Sequence, residues 1–313
     1  MAENDLQALR SRAKAGEAAA QHALGVRLLT AEDAPFLPAE GARLVDAAAR
    51  QDYTPALRLA AVFSSIGYER PRDWSVALGL AERAAGLGDA AARGALCVLG
   101  ADFDVVSWSA PPPARRVFET PRIAVIENFL PAAMCDWIMD RARPRLEAAK
   151  VYDPVQGGKR EGERRTNTGT GFGLVETDLV MQAAHTRIAA ATGLPLAQQE
   201  ATNVLHYEPG QQFLPHFDSL DPKVAHFARD LQINGQRLLT FLVYLNDGFE
   251  GGETEFPRLG WRYKGGKGDA LLFWNVGLDG LPEEQALHAG LAPTSGEKWL
   301  LSKWVRDKAL PLI

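Results

Sequence analysis

His216-Phe217-Asp218, answered by a lone histidine at His288, constrains the fold of this 313-residue chain more than any other feature. Side chains at i and i+2 on a strand share a face, so His216 and Asp218 present an imidazole and a carboxylate side by side. His288 lies 70 residues beyond the aspartate, and joins them only if a distant strand folds back alongside. Two imidazoles and one carboxylate close one face of an octahedron around a ferrous ion and leave three adjacent positions free. The triplet alone is a weak signal: the chain has six histidines, and a single histidine is more often a hydrogen-bonded core or surface residue than a ligand.

The surrounding text strengthens it. Asn203-Val204-Leu205-His206-Tyr207 reads as a strand, Glu208-Pro209-Gly210 as a turn, and Phe213-Leu214-Pro215 as the strand that carries His216. Residues 238–247 are aromatic and branched, strand-length, and end at Asn246-Asp247-Gly248. Gly251-Gly252-Glu253-Thr254 is a tight turn, residues 268–275 form another buried strand, and His288-Ala289-Gly290 leads into a last strand up to Arg306. On that last strand a period of two puts Lys298, Leu300, Ser302 and Trp304 on one face, and Trp299, Leu301, Lys303 and Val305 on the other. A buried ammonium is costly without an anion. A carboxylate-bearing ligand beside the metal would supply one for Lys298; the competing reading is that Lys298 reaches solvent from the strand start.

Segments 207–218, 237–257 and 288–306 together resemble the catalytic domain of the prolyl 4-hydroxylase family of Fe(II)/2-oxoglutarate dioxygenases. The order is H-x-D, then Y-L-N-D with E-G-G-E-T-x-F-P, then H-x-G-x-x-P-x-x-G-x-K-W, with ten residues from His288 to Lys298; the resemblance covers roughly residues 117–310. It implies a double-stranded β-helix (jelly-roll) with flanking helices. It implies that His216, Asp218 and His288 bind Fe(II), and that Lys298 pairs with the far carboxylate of 2-oxoglutarate. It puts the Tyr207 and Thr240 hydroxyls toward that cosubstrate, Trp304 on the cavity wall, and Arg165 by the substrate. Arg165-Thr166-Asn167 departs from the family's R-T-S element at its third residue. The implied reaction consumes 2-oxoglutarate and O2, releases succinate and CO2, and hydroxylates an unactivated C–H bond, foremost on a prolyl residue of a protein or peptide. Ascorbate is the further cofactor the resemblance suggests. Asp218 argues against halogenating relatives, in which a small residue replaces the carboxylate. The alternatives are an oxygenase of a free amino acid or other small molecule, and a non-catalytic repeat scaffold with a degenerate oxygenase domain.

Residues 1–107 differ from the rest: they are alanine-rich and lack strand-like runs. Glu17-Ala18-Ala19-Ala20, Asp52-Tyr53-Thr54-Pro55 and Asp89-Ala90-Ala91-Ala92 open similar segments at offsets of 35 and 37 residues. A repeat near 36 with small residues and leucine at helical spacing indicates stacked helix pairs. The pattern resembles SEL-type tetratricopeptide-like repeats, a short α-solenoid suited either to recruiting a protein substrate or to stabilising its neighbour. Ser107-Trp108-Ser109-Ala110-Pro111-Pro112-Pro113 reads as a helix break, which gives a repeat domain over 1–107, a proline-rich linker over 108–116 and an oxygenase domain over 117–313.

Other residues take plainer roles. Glu253 and Glu255 read as strand-junction residues, and Asp269 as a turn residue. His206, alternating with Tyr207, reads as a sheet-surface residue, and His22, His185 and His226 lack ligand spacing. Cys97 and Cys135 read as small buried residues in a reducing compartment. Residues 151–165, polar and basic, read as a loop that closes over substrate. Net charge is -5, without the broad basic face that nucleic-acid binding requires, and no apolar run reaches 18 residues. The acidic start, Met1-Ala2-Glu3-Asn4-Asp5, lacks an apolar signal segment, so a cytoplasmic location is expected.

Overall fold

The computed structural model describes residues 2–149, 151–152, 159–160 and 164–310. They divide into two compact units. One holds the chain up to Ser109 together with Phe172–Thr186; the other holds Ala110–Gly171 and the chain from Arg187 onward.

The first unit is built from α1 (Ala2–Lys14), α2 (Ala18–Thr30), α3 (Pro38–Ala49), α4 (Thr54–Ile66), α5 (Trp74–Gly86), α6 (Ala90–Leu99) and the short α7 (Val105–Ser109). Helices α2, α4 and α6 are capped at Glu17, Tyr53 and Asp89, two steps of 36 residues (53 − 17 and 89 − 53). Helices α3 and α5 are capped at Leu37 and Asp73, again 36 apart (73 − 37). The repeat is therefore regular, and the offsets of 35 and 37 straddle it. Asp73 and Asp89 each accept a backbone N–H three residues on, from Val76 and Ala92, which satisfies one of the first-turn donors. Pro38 and Pro55 stand in the first turns of α3 and α4, where a missing N–H costs nothing. Val45, Ala48, Ala56, Leu57, Ala60 and Phe63 form the core, and Leu174 packs into the same cluster.

Glycine lets α2 and α3 approach: a Cβ on Gly41 would lie 2.8 Å from the carbonyl oxygen of Gly25, and one on Gly25 would lie 2.8 Å from that of Gly41. Gly79, on the exposed face of α5, meets nothing within 4 Å. Gly41→Ala is expected to lower stability by about 1–3 kcal/mol through overpacking, whereas Gly79→Ala should raise it by about 0.5–1 kcal/mol through helix propensity. Thermal melts of the two variants should move in opposite directions.

The expected helix break falls later than the sequence indicates. Trp108 belongs to α7, packs against Phe103 at 6.0 Å and donates its indole N–H to the Ala183 carbonyl at 2.8 Å. The boundary thus follows Ser109, and Phe172–Thr186 groups with the helical unit although it lies deep within the expected 117–313 domain.

The remaining helices are α8 (Ala132–Ala142), α9 (Leu179–Thr192) and α10 (Ala225–Asn234). The strands in chain order are β1 (Arg115–Phe118), β2 (Ile123–Ile126), β3 (Glu147–Ala148), β4 (Val151–Tyr152), β5 (Lys159–Arg160), β6 (Thr168–Phe172), β7 (Thr202–Tyr207) and β8 (Phe213–His216). They continue with β9 (Arg237–Tyr244), β10 (Glu250–Gly251), β11 (Thr254–Phe256), β12 (Trp261–Tyr263), β13 (Ala270–Trp274), β14 (His288–Gly290), β15 (Pro293–Ser295) and β16 (Lys298–Arg306). Among the described residues, a major sheet runs β1-β2-β13-β9-β16-β7-β6-β3 and a minor sheet runs β12-β11-β14-β8. The pairings β2–β13, β13–β9, β9–β16, β16–β7 and β14–β8 are antiparallel, and the two sheets give the double-stranded β-helix that the sequence leads one to expect. Tyr207, Leu242, Tyr244 and Leu300 from the major sheet share one core with Phe249 and Phe256.

β16 lies between β7 and β9 and is buried along almost its whole length, on both faces. Period-two alternation therefore separates two buried faces rather than a buried one from an exposed one. Residues 151–165, read as a closing loop, lie for the most part outside the described residues.

Candidate active site

Strands β14 and β8 pair with His288 directly opposite His216, which brings the two imidazoles to a centroid separation of 4.3 Å. Asp218 sits just past the end of β8, in a bend and not on the strand. The bend returns its carboxylate toward the rings: Oδ1 lies 3.7 Å from His216 Nε2 and Oδ2 lies 3.4 Å from His288 Nε2. All three ligand atoms fall within 4.8 Å of one another. Ligands at about 2.1 Å from one ion at right angles lie about 3 Å apart, so small closures complete the set.

The ring nitrogens not needed by a metal are already engaged. His216 Nδ1 faces the Leu214 carbonyl at 2.9 Å, and His288 Nδ1 faces that of Ala286 at 3.0 Å. Each carbonyl accepts from Nδ1–H and so leaves the Nε2 lone pair free, as a metal ligand requires. Phe213 stacks on His216 at 3.5 Å, and Phe273 meets His288 edge-on at 4.5 Å. Burial, reinforced by His288, holds the His216 imidazole well below its ordinary pKa and keeps it neutral. Burial pushes Asp218 up, but His288 and His216, with Arg237 and the Thr240 hydroxyl, outweigh it and keep the carboxylate ionised. Two imidazoles offering Nε2 and one carboxylate suit Fe(II).

Lys298 opens β16 across the cavity, fully buried, its Nζ without a hydrogen-bond partner. It lies 5.0 Å from the Tyr207 ring centroid and 5.8 Å from that of Tyr244. Burial pulls its pKa down to about 7, with Glu253 acting weakly in the other direction. An ammonium without a partner, in a cavity shared with two imidazoles and a carboxylate, is suited to an anionic ligand. The cavity is lined by Leu205, Tyr207, Phe213, Leu242, Thr254, Gly290, Leu300, Ser302 and Trp304 besides the residues already named.

Tyr207 is buried and pairs in register with Lys298; burial drives its hydroxyl up to about 12, so it stays a proton donor. Thr240 lines the cavity, yet its hydroxyl donates to Asp218 Oδ2 at 2.6 Å and receives Asn275 Nδ2 at 3.0 Å. The side chain thus lines the cavity as expected of it, with its hydroxyl engaged by the Asp218 carboxylate. Thr240→Val is expected to weaken Fe(II) binding about 10- to 100-fold, measured by anaerobic titration. Arg165 lies at the cavity edge, its guanidinium 4.6 Å from the Phe213 ring centroid and its Nε donating to Asn167 Oδ1 at 3.0 Å. The asparagine that departs from the family pattern thus holds this arginine.

Some residues depart from their sequence reading. His206 is buried, not on the surface: its ring lies tilted against Trp299 at 4.4 Å and meets Thr168 Oγ1 at 2.9 Å. Lys303, on the opposite face of β16, is a second buried lysine, donating to Thr202 Oγ1 at 2.9 Å. Cys135 is buried but Cys97 is exposed. Asn275 was missed, because a strand-end asparagine carries no local signal of the hydroxyl it touches.

A family model described as the 2OG-Fe(II) oxygenase superfamily matches residues 202–306, the span that holds all three ligands and Lys298. Prolyl 4-hydroxylase 1 of Arabidopsis thaliana is 38% identical over 222 residues, 66% of this chain and 72% of that protein. This chain belongs to the prolyl 4-hydroxylase family of 2OG-Fe(II) oxygenases. The viral collagen prolyl hydroxylase of Paramecium bursaria chlorella virus 1, solved as a 2-oxoglutarate complex, shares 27% identity over 58% of this chain and 94% of its own, with a TM-score of 0.46. For the repeats, the Sel1 repeat protein of Oxalobacter formigenes shares 27% identity over 29% of this chain and 68% of its own, with a TM-score of 0.28. As a member of the prolyl 4-hydroxylase family, the chain is a dioxygenase that uses Fe(II), 2-oxoglutarate and O2. The complete ligand set sets aside the degenerate-scaffold alternative.

With the family in hand, Lys298 makes a pH prediction. Its folded pKa of about 7 lies below the ordinary 10.5, so in the free enzyme the ammonium is charged below about pH 7 and neutral above. The bound diacid requires the charged form. Binding 2-oxoglutarate should therefore take up about one proton at pH 8 and almost none at pH 6. Calorimetry in two buffers of different ionisation heat measures the uptake; equal values at both pHs would contradict this assignment.

Proposed function

We propose that this dioxygenase hydroxylates a prolyl residue of a protein or peptide substrate. The observation that carries the oxygenase reading is the buried, unpartnered Lys298 in the same cavity as the two imidazoles and the carboxylate. The prolyl class is supported by the plant prolyl 4-hydroxylase, of which this chain spans 72%. Bound Fe(II) supplies the coupling of 2-oxoglutarate decarboxylation to O2 activation. The chain's own residues then divide the work. His216, His288 and Asp218 hold the ion, and Thr240 holds Asp218. Lys298 fixes the far carboxylate of the cosubstrate and so its orientation. Leu205, Leu242 and Leu300 keep the cavity apolar, which protects the oxidising step from water. Arg165, at the rim, is placed to meet the incoming peptide. Recruitment of the protein substrate by the helical repeats, ascorbate as accessory reductant, and a cytoplasmic location belong to the same reading.

The test is succinate release with anaerobically added Fe(II), screened over proline-containing peptides, with the products weighed by mass spectrometry. One added oxygen on proline, at a rate that tracks succinate, is the expected result. Stimulation by free amino acids or other small molecules, with no prolyl peptide modified, would replace this reading by the small-molecule one. If the repeats recruit, a full protein substrate should show a lower KM than the short peptide cut from it.

A further inference from the structure

Trp304 forms part of the cavity wall, and its cross-strand partner is Thr240, whose hydroxyl holds Asp218. The indole lacks an anchor of the usual kind: Nε1 is buried and has no hydrogen-bond partner. What fixes the ring is a cation. The Arg237 guanidinium carbon lies 3.4 Å from the Trp304 ring centroid, in stacking contact. Arg237 in turn cannot swing. Its Nε and Nη2 donate to the two carboxylate oxygens of Glu200, at 2.7 and 3.0 Å, a two-pronged geometry that sets the guanidinium plane. Glu200 also accepts Arg306 Nε at 2.5 Å, and Arg306 Nη2 donates to Asp230 Oδ2 at 2.8 Å. The chain Asp230–Arg306–Glu200–Arg237 ends flat against the indole. Side-chain exposure is 18% for Arg237 and 16% for Glu200, so solvent competes little for either.

We infer that Arg237, clamped by Glu200 and stacked on Trp304, is a positioning residue that fixes one wall of the iron cavity and thereby keeps cosubstrate breakdown coupled to hydroxylation. The inference rests on the oxygenase reading above. The wall bounds the space in which the substrate's C–H bond must wait. If the indole tilts, the substrate is held less closely, and 2-oxoglutarate is consumed without a product oxygen being placed, the second oxygen atom leaving as water with two electrons and two protons from ascorbate supplied in the assay. A planar fork is what the clamp needs; an ammonium has the charge without the plane.

The experiment compares the full-length wild type with Arg237→Lys, Arg237→Gln and Glu200→Gln. It reads succinate released per residue hydroxylated on a poly-L-proline peptide, alongside KM for 2-oxoglutarate and Fe(II) affinity. A wild-type ratio near one should rise at least fivefold in Arg237→Lys as well as in Arg237→Gln, and in the same direction in Glu200→Gln. KM for 2-oxoglutarate and Fe(II) affinity should stay within twofold for Arg237→Lys. Coupling in Arg237→Lys equal to wild type would overturn the inference, because charge alone would then suffice. A ratio that rises only in step with lost Fe(II) binding or a lowered Tm would overturn it too, since that is general damage. A wild type that releases no product from the peptide would sink the prolyl reading itself, and is told apart by the unsubstituted control.

Discussion

Lys298→Met should lose 2-oxoglutarate binding while gaining thermal stability. The loss follows from leaving one carboxylate of a bound diacid in an apolar cavity without its cation. By analogy with a broken buried ion pair, that costs about 3–5 kcal/mol, or roughly 10²- to 10⁴-fold in affinity. The gain follows from the free enzyme, where Lys298 is fully buried and its Nζ has no partner. Methionine fills similar space without a polar atom to desolvate, and removing an unsatisfied buried group is worth about 1–3 kcal/mol. Stability given up for a function is the usual trade at a binding site. The pH dependence gives a second check. Lys298 has a folded pKa depressed to about 7 from 10.5, so its contribution to stability is present above the unfolded value and lost as pH falls through about 7. The ligand-free wild type should therefore become more stable between pH 7 and 10.5. Lys298→Met should show a shallower rise; Lys303, shifted the same way by burial, accounts for a part that remains. Isothermal titration with the cosubstrate and paired thermal melts measure both effects. A variant that binds 2-oxoglutarate normally would remove the lysine from the site.

Asp218→Asn should abolish Fe(II) binding and turnover together while the fold persists. The substitution keeps shape and most hydrogen-bonding capacity but removes the only anionic ligand. The loss should exceed the roughly 10- to 100-fold typical of disturbing a group that merely orients a ligand, so turnover should fall to background. His288→Ala should do the same by deleting an imidazole opposite His216. Far-ultraviolet circular dichroism should match wild type in both, since the sheets are held by β16, β9 and β13 and their buried neighbours. Iron retention in Asp218→Asn at wild-type affinity would mean that the ion sits elsewhere.

Much of this site was legible because strands alternate. Lys298, Leu300, Ser302 and Trp304 read as one face, and all four line the cavity. His216 and Asp218 were legible as neighbours for a partly mistaken reason: the strand ends at His216, and a bend rather than the pleat returns the carboxylate. The repeat was legible to within a residue because alanine and glycine mark the helix crossings, as Gly25 and Gly41 show. What stayed hidden depends on contacts distant in sequence. Alternation gave no hint that Lys303 and His206 are buried, because β16 and β7 are covered on both sides. The Arg237–Trp304 stack and the Asn275–Thr240–Asp218 chain join residues 22 or more apart, which no local pattern reports. Helix α7 was missed because the proline run beside it reads as a break, while Trp108 finds its partner at Ala183.

One anaerobic titration bears most directly on the whole account: Fe(II), then 2-oxoglutarate, added to wild type, Asp218→Asn and Lys298→Met. Wild type should bind one ferrous ion per chain and then one cosubstrate, with the visible charge-transfer absorption of the joint complex. Asp218→Asn should bind neither, and Lys298→Met should bind the ion but not the cosubstrate. Cosubstrate bound as tightly without Lys298 as with it, or iron bound as tightly without the Asp218 carboxylate, would contradict the account.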